Sequence, residues 1–489
     1  MSIYKRSQSA LKQSITAHSR VGLAFAVLLY VVCLTGTLSV FFEEFERWEQ
    51  PLIEEYRDYS LTQIQAAISH FQQRVEAPPE TLWVVLPTRA VPRIHISDGE
   101  QEWFVNADGR LSAPPLEAWT AMLTKLHMQL YLPSNIGLIV VGILGVILSN
   151  LTLSGLLAHP NMFKDAFRWR GGRQVLSQLD LHNRLGVWAA PFILVIALTG
   201  AFIGLLGLFG FMTSAAFYEG RIETVLEKVY GADPEVRDAV APLDFAAAFT
   251  ELKVIAPDAR PLYIAIQHID TSEQYFEIAA TLPQRLIYSE IYRFRANGSL
   301  IDSQGFADGA AGRQIAYSVY RLHFGHFGGF WVKVVYAILG LALTIVCASG
   351  INIWLARRKY ESVLNDTWVA VVWGLPLALA VAALLSFYNW GPWLVFCGVQ
   401  SLALAIALLM KHALKTRWVL MVALILSLLA IVVSQSVSYY NDTLTLAFHG
   451  VNAAILVAAL ILSAILYRQS GTGIEKYRLQ SLVSMALRK

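Results

Sequence analysis

Apolar residues gather eight times into runs near the length of about 20 residues that crosses a bilayer. These runs lie at about 21–42, 136–158, 185–212, 327–355, 367–388, 392–410, 418–436 and 446–467. Two long polar segments, 43–125 and 213–322, interrupt the first four. In the first, Leu61, Ile64, Ala67, Ile68 and Phe71 recur at helical spacing and predict a helix over 60–75. Strand-like stretches follow at 82–87, 92–97 and 102–106, and Asp108-Gly109 predicts a hairpin turn. The second segment repeats this order, with a helix over 243–254, strands at 261–267, 275–280 and 286–295, and a turn at Asn297-Gly298. The pattern predicts a mainly α polytopic membrane protein of about eight helices. Two small α+β domains are inserted between helices 1 and 2 and between helices 3 and 4. The chain divides into 1–42, 43–125, 126–212, 213–322, 323–360 and a four-span extension, 361–489.

Composition agrees with this division. Of 489 residues, 56% are hydrophobic and 15% charged, well below the usual quarter, and the net charge is +3. These values exclude a disordered or nucleic-acid-binding chain and make the lipid bilayer the first partner. The three cysteines, Cys33, Cys347 and Cys397, lie in apolar runs and form no disulfide framework, and no C-x-x-C-H motif is present. Phe41-Phe42-Glu43-Glu44 stands where a cleavage site would be expected, so the first run reads as a span. Twenty of the 38 basic residues cluster in alternate connections and at the ends. Among them are Lys5, Arg6, Lys164, Arg168, Arg170, Arg173, Arg357, Arg358, Lys411, Arg488 and Lys489. This bias places both termini in the cytoplasm and both long polar segments outside.

The first four spans form a repeat. His18-x-Arg20 and Thr35-Gly36 in span 1 match His182-x-Arg184 and Thr199-Gly200 in span 3, with 18 residues from His to Gly in both. Leu126-His127 and Ser154-Gly155 around span 2 match Leu322-His323 and Ser349-Gly350 around span 4. Ionisable residues at membrane edges suggest function. The topology sorts these into a cytoplasmic pair, His18 and His182, and an external pair, His127 and His323. Two opposed imidazoles are what a bis-histidine b-type haem requires. The arrangement predicts two stacked haems in a four-helix bundle. Eighteen residues carry Gly36 and Gly200 roughly 27 Å from their histidines. There, like Gly155 and Gly350, they would leave room for a flat macrocycle. Arg20 and Arg184 inside, and Arg321 or Arg313 outside, are candidate propionate partners. His326 is an alternative outer ligand, whereas His449 and the loop residue His159 rank lower. A zinc or copper site is the chemical alternative, although such sites gather three or four ligands. Trp48, Trp331, Trp354, Trp390, Trp393 and Trp418 read as an interfacial belt.

Taken together, His18-x-Arg-x-Gly, Leu126-His127, Leu181-His182-x-Arg-x-Gly and Leu322-His323-x-Gly, with their Thr/Ser-Gly partners and Trp354-Leu355, resemble the PepSY-associated transmembrane helix family over about residues 10–360. The resemblance implies a di-haem protein of the bacterial inner membrane with periplasmic PepSY-like domains. It implies a ferric-siderophore reductase that passes electrons outward to an Fe(III) chelate and releases Fe(II), with the four histidines as haem ligands. Some relatives carry a cytoplasmic flavin and NADPH module. Here four spans stand instead, as a quinol-facing surface, a partner-docking surface or a support. The electron donor, a quinol or a cytoplasmic reductase, stays open. The alternative function is a non-redox transporter or sensor whose external domains bind a ligand or peptide.

Overall fold

A computed structural model describes residues 2–116, 118–158 and 174–486. His159, Lys164, Arg168, Arg170, Arg173, Arg488 and Lys489 lie outside the described residues. The apolar runs become helices α1 (Ser2–Ser39), α5 (Ser134–Leu157), α6 (Gln174–Phe217) and α10 (Gly329–Ala356). After them come α11 (Val363–Ser386), α12 (Pro392–Met410), α13 (Ala413–Ser438) and α14 (Leu446–Ala486). All eight contain segments long and apolar enough to cross a membrane. In a bilayer the backbone must satisfy its own hydrogen bonds, which is why runs of this length fold as helices. Helices α1, α5, α6 and α10 pack in that order around a closed four-helix ring, and the extension packs on itself and on the α1 side.

Short helices join the spans to the polar segments. They are α2 (Phe42–Glu49), α4 (Trp119–Gln129), α7 (Ile222–Tyr230) and α9 (Ala311–Phe324). Helices α4 and α9 are separate from the spans they precede. Leu130 and Gly325, both in the left-handed conformation, end them and turn the chain. Two further helices, α3 (Leu61–Gln72) and α8 (Phe245–Ile255), lie within the polar segments close to the expected positions. Side chains cap both, Ser60 accepting from the Gln63 N–H and Asp244 from the Ala247 N–H.

Each polar segment forms its helix and its strands, and the strands then merge. Strands β1 (Thr81–Val85), β2 (Ile94–Ser97), β3 (Glu102–Val105), β4 (Arg260–Gln267), β5 (Tyr275–Thr281), β6 (Glu290–Arg295) and β7 (Leu300–Ser303) form one antiparallel sheet, ordered β3-β2-β1-β4-β5-β6-β7. The union runs along β1 and β4, where Leu82 faces Ile266 and Val84 faces Ile264. All four are essentially inaccessible, because α3 and α8 cover that face with Ile64, Phe71, Phe245 and Leu252. Strand β7 has no counterpart among the strands predicted from the pattern. The two turn glycines keep the repeat: Gly109 (φ +83°) lies against Ala66 of α3, and Gly298 (φ +80°) against Ala247 of α8.

Candidate functional site

The ring of four spans carries four histidines in two opposed pairs. His127 ends α4 and His323 ends α9, so both stand at the sheet-bearing end of the ring. Their ring centroids are 6.2 Å apart with planes 21° apart. His18 on α1 and His182 on α6 meet at the other end, with centroids 6.3 Å apart and planes at 80°. Each pair takes one histidine from each repeat.

Every one of these rings sits against a glycine of its own repeat. A Cβ built on Gly36 would lie 2.5 Å from His127 Cε1, on Gly200 3.0 Å from His323 Cε1, on Gly155 3.1 Å from His18 Cε1, and on Gly350 3.4 Å from His182 Cε1. The carbonyl four residues before the glycine receives the same ring's Nδ1–H. Those acceptors are Val32 for His127 (3.0 Å), Leu151 for His18 (3.1 Å) and Val346 for His182 (3.0 Å). His323 bonds Ile196 likewise and donates to the Thr199 hydroxyl at 2.9 Å, whose own hydrogen goes to Val195. Ser154 and Ser349 stand 3.2 and 3.1 Å from Nδ1 of His18 and His182. The space at the glycines, expected for a macrocycle, is thus filled by imidazole, and Thr/Ser-Gly is one half of a histidine seat.

This seat fixes the tautomer. With Nδ1 carrying the hydrogen, Nε2 keeps its lone pair, the arrangement found in metal-ligating histidines whose other ring nitrogen donates to a backbone carbonyl. Burial pushes the His323 imidazole down to about 3, with His127 adding a smaller effect, and burial lowers His127 as well. Both are therefore neutral at pH 7. A cleft with about 1120 Å³ of empty space, counted out to its mouth, opens around the outer pair. Gly36, Gly200, Phe192, Tyr336 and Leu138 line it, so its walls are almost wholly apolar. Among the described residues no three His, Cys, Asp or Glu side chains converge as a metal group.

Several expected residues lie elsewhere. His326 does not join the outer pair, because α9 stops at Phe324 and the left-handed Gly325 breaks the helix face it was expected to share with His323. It rests instead against Phe42, with Nε2 3.9 Å from a Glu43 oxygen. Arg321 donates to the carbonyls of Arg285 (2.9 Å) and Ile287 (3.0 Å), and Arg313 to that of Val229. Both arginines serve the polar domain. Arg20 is exposed, Arg184 half-buried, and His449 exposed. Trp48 is buried, donating to Asn452, and is no belt residue, whereas Trp331, Trp390 and Trp418 are exposed.

Other groups were not singled out by the pattern. Lys333, nearly fully buried, bonds Glu43 (2.6 Å) and Glu44 (2.9 Å) and so ties the start of α10 to α2. A lysine at the head of an apolar run was the available signal, because a charge there needs a partner. Cys33 and Cys347 meet at 3.9 Å between the two histidine levels. Each directly follows a valine, Val32 or Val346, whose carbonyl seats a histidine.

The family model described as PepSY-associated TM region matches residues 15–357, which hold both histidine pairs and all four seats. The chain is also 29% identical over 251 residues to the uncharacterized protein PA4219 of Pseudomonas aeruginosa. That similarity covers 48% of this chain and 63% of the relative's length.

Proposed function

The chain belongs to the PepSY-associated TM region family, and we propose that it carries electrons across the bacterial inner membrane to a ferric chelate, such as a ferric siderophore, on the sheet-bearing side. His18 with His182, and His127 with His323, would each hold one b-type haem. When bound, these groups supply reversible one-electron iron chemistry. In this reading the chain has its termini in the cytoplasm and its sheet in the periplasm, which the clustering of basic residues supports.

The observation that carries the reading is the seat repeated four times. The two rings of each pair stand far enough apart that their Nε2 atoms could both ligate one metal between them. The observed separations are 6.2 and 6.3 Å. The chain's own contribution is to hold each lone pair in place through the Nδ1–H bond to a backbone carbonyl, and to exclude water with apolar helix faces. With two nitrogen donors per level, the donor set suits a metal whose remaining ligands come with a macrocycle.

The test is an absorption spectrum of the purified full-length protein with a haem count. Two haems per chain are expected, one after His127→Ala or His182→Ala, and re-oxidation of the reduced protein by a ferric siderophore. The pairs should also differ in electron paramagnetic resonance. The imidazole planes stand 21° apart in one pair and 80° apart in the other, so haems held there would give distinct signals. A protein without a Soret band would overturn the reading in favour of a non-redox transporter or sensor, and one keeping both haems in each variant would overturn the four histidines as the ligands.

A further inference from the structure

The extension bears unevenly on the two outer histidines. Pro376 stands inside α11 and lacks the N–H that would bond the carbonyl of Val372, four residues earlier. That carbonyl instead accepts the Tyr30 hydroxyl at 2.8 Å. Tyr30 is buried on α1, two residues before Val32, whose carbonyl holds His127. Two turns further along α11, the carbonyl of Leu379 accepts the indole N–H of Trp119 at 2.9 Å. Trp119 is the first residue of α4, and His127 lies in the last turn of that helix. Just beyond α4, Tyr131 stacks on Trp393 of α12, with centroids 3.8 Å apart and planes 10° apart. The extension therefore grips α4 at both ends, and grips α1 beside the His127 seat.

The start of α4 is tied down a second time. Glu49, buried at the end of α2, accepts the N–H groups of Trp119 (2.8 Å) and Thr120 (3.0 Å) and also the Thr120 hydroxyl. A carboxylate at a helix N-terminus meets two otherwise orphaned donors and the positive end of the helix dipole. The core shared with the extension takes Trp119, Met122, Leu123 and Leu126 from α4 and no residue of α9. Helix α9, which carries His323, packs on α6 instead.

We infer that the last four spans act as a clamp that positions His127, one side of the outer pair, through Tyr30, Trp119 and Tyr131. The inference rests on the reading of the histidines as ligand pairs, and it gives the extension a definite task within it. His323 is held by its own repeat, so the clamp sets the geometry of one outer ligand against a fixed partner.

The test compares full-length protein in lipid nanodiscs with Trp119→Phe and with Tyr30→Phe/Trp119→Phe, which remove the donors and keep an aromatic ring, though a smaller one, at position 119. Amide hydrogen exchange is followed over 119–131, with 311–324 as the internal control. The expected result is exchange about tenfold faster in 119–131, with 311–324 unchanged. In haem-loaded protein, the spectrum and potential of the outer site alone should move, with the inner site as in wild type. Unchanged protection of 119–131, or equal loosening of both segments, would overturn the clamp, because the second outcome is general destabilisation. If wild type holds no haem, the ligand reading fails by itself, and the exchange comparison still decides whether the extension holds α4. The single variant keeps the test valid if the double variant does not fold.

Discussion

A methyl group added at Gly36 would press on His127 Cε1 at 2.5 Å, whereas one at Gly350 would meet His182 at 3.4 Å, an ordinary contact. Gly200 and Gly155 fall between, at 3.0 and 3.1 Å. The four positions look alike in sequence, yet the cost of alanine should be graded. The imidazole cannot simply turn away, because its Nδ1 is bonded to the carbonyl one turn earlier on the glycine's own helix. Overpacking of this kind costs about 1–3 kcal/mol. Gly36→Ala should therefore lower stability most, Gly200→Ala and Gly155→Ala less, and Gly350→Ala by under about 0.5 kcal/mol. Denaturant or thermal unfolding of the four variants in one detergent gives the order directly. A reversed order would remove the seat as the reason for these glycines. Glu277 on β5 is a second residue whose setting decides its chemistry. Burial raises its carboxyl to about 7, and Arg293, bonded to Asp302 at 2.7 and 2.8 Å, only partly opposes this. Asp233 and Asp302 raise it further, and Gln267 bonds it. The folded state therefore holds a proton that the unfolded chain releases near 4.5, so stability falls as pH rises through 4.5 to 7 and stays low above. Glu277→Gln should flatten that slope and stabilise the sheet by about 2 kcal/mol at pH 8. Unfolding curves at pH 5 and 8 for both proteins test the sign.

At the scale of elements, the two polar segments behave as one body because their inner strands complete each other. Strand β1 would be an exposed edge in a domain built from 43–125 alone, and β4 likewise in one built from 213–322. Pairing them removes both edges and buries Leu82, Val84, Ile264 and Ile266 beneath α3 and α8. Ile264→Asp places a charge in this shared layer and should cost more than about 3 kcal/mol. Hydrogen exchange should rise in β2 and β3 as well as in β5 and β6, although the substitution lies in the second segment only. Loss of protection confined to the second segment would show two independent domains. Such pairing could not be read from alternation, which reports which face of a strand is buried and not which strand lies beside it. The same holds for α4 and α9. Each is short, and four residues, 130–133 or 325–328, separate it from its span, opening on the left-handed Leu130 or Gly325. That break is why His326 was expected on the face of His323 and is not found there.

Across the whole molecule, the parts legible in the sequence were those set by one-dimensional rules. Spans follow from length and apolarity, and the two histidine levels follow from the repeat and the direction of each helix. What stayed hidden depends on contacts between distant positions, such as Tyr30 with Val372, Trp119 with Leu379, and Lys333 with Glu43 and Glu44. No periodicity encodes these, because each partner lies far off in the chain, even where local structure leaves a group open, as Pro376 does for the Val372 carbonyl four residues earlier. The proposed direction of electron flow depends in turn on which way the whole molecule faces. In the proposed orientation the turn at Asn297-Gly298-Ser299 lies in the periplasm and Arg357-Arg358-Lys359 in the cytoplasm. Ser299, in the turn between β6 and β7, precedes the span α10 and Lys359 follows it, and the native thiols Cys33, Cys347 and Cys397 are buried or half-buried within spans. A cysteine placed at Ser299 should react with a membrane-impermeant maleimide in cells whose outer membrane has been opened. One placed at Lys359 should react only after the inner membrane is disrupted. The opposite pattern would put the cleft and the outer histidine pair on the cytoplasmic side, and reduction of an external ferric chelate would then lose its geometry.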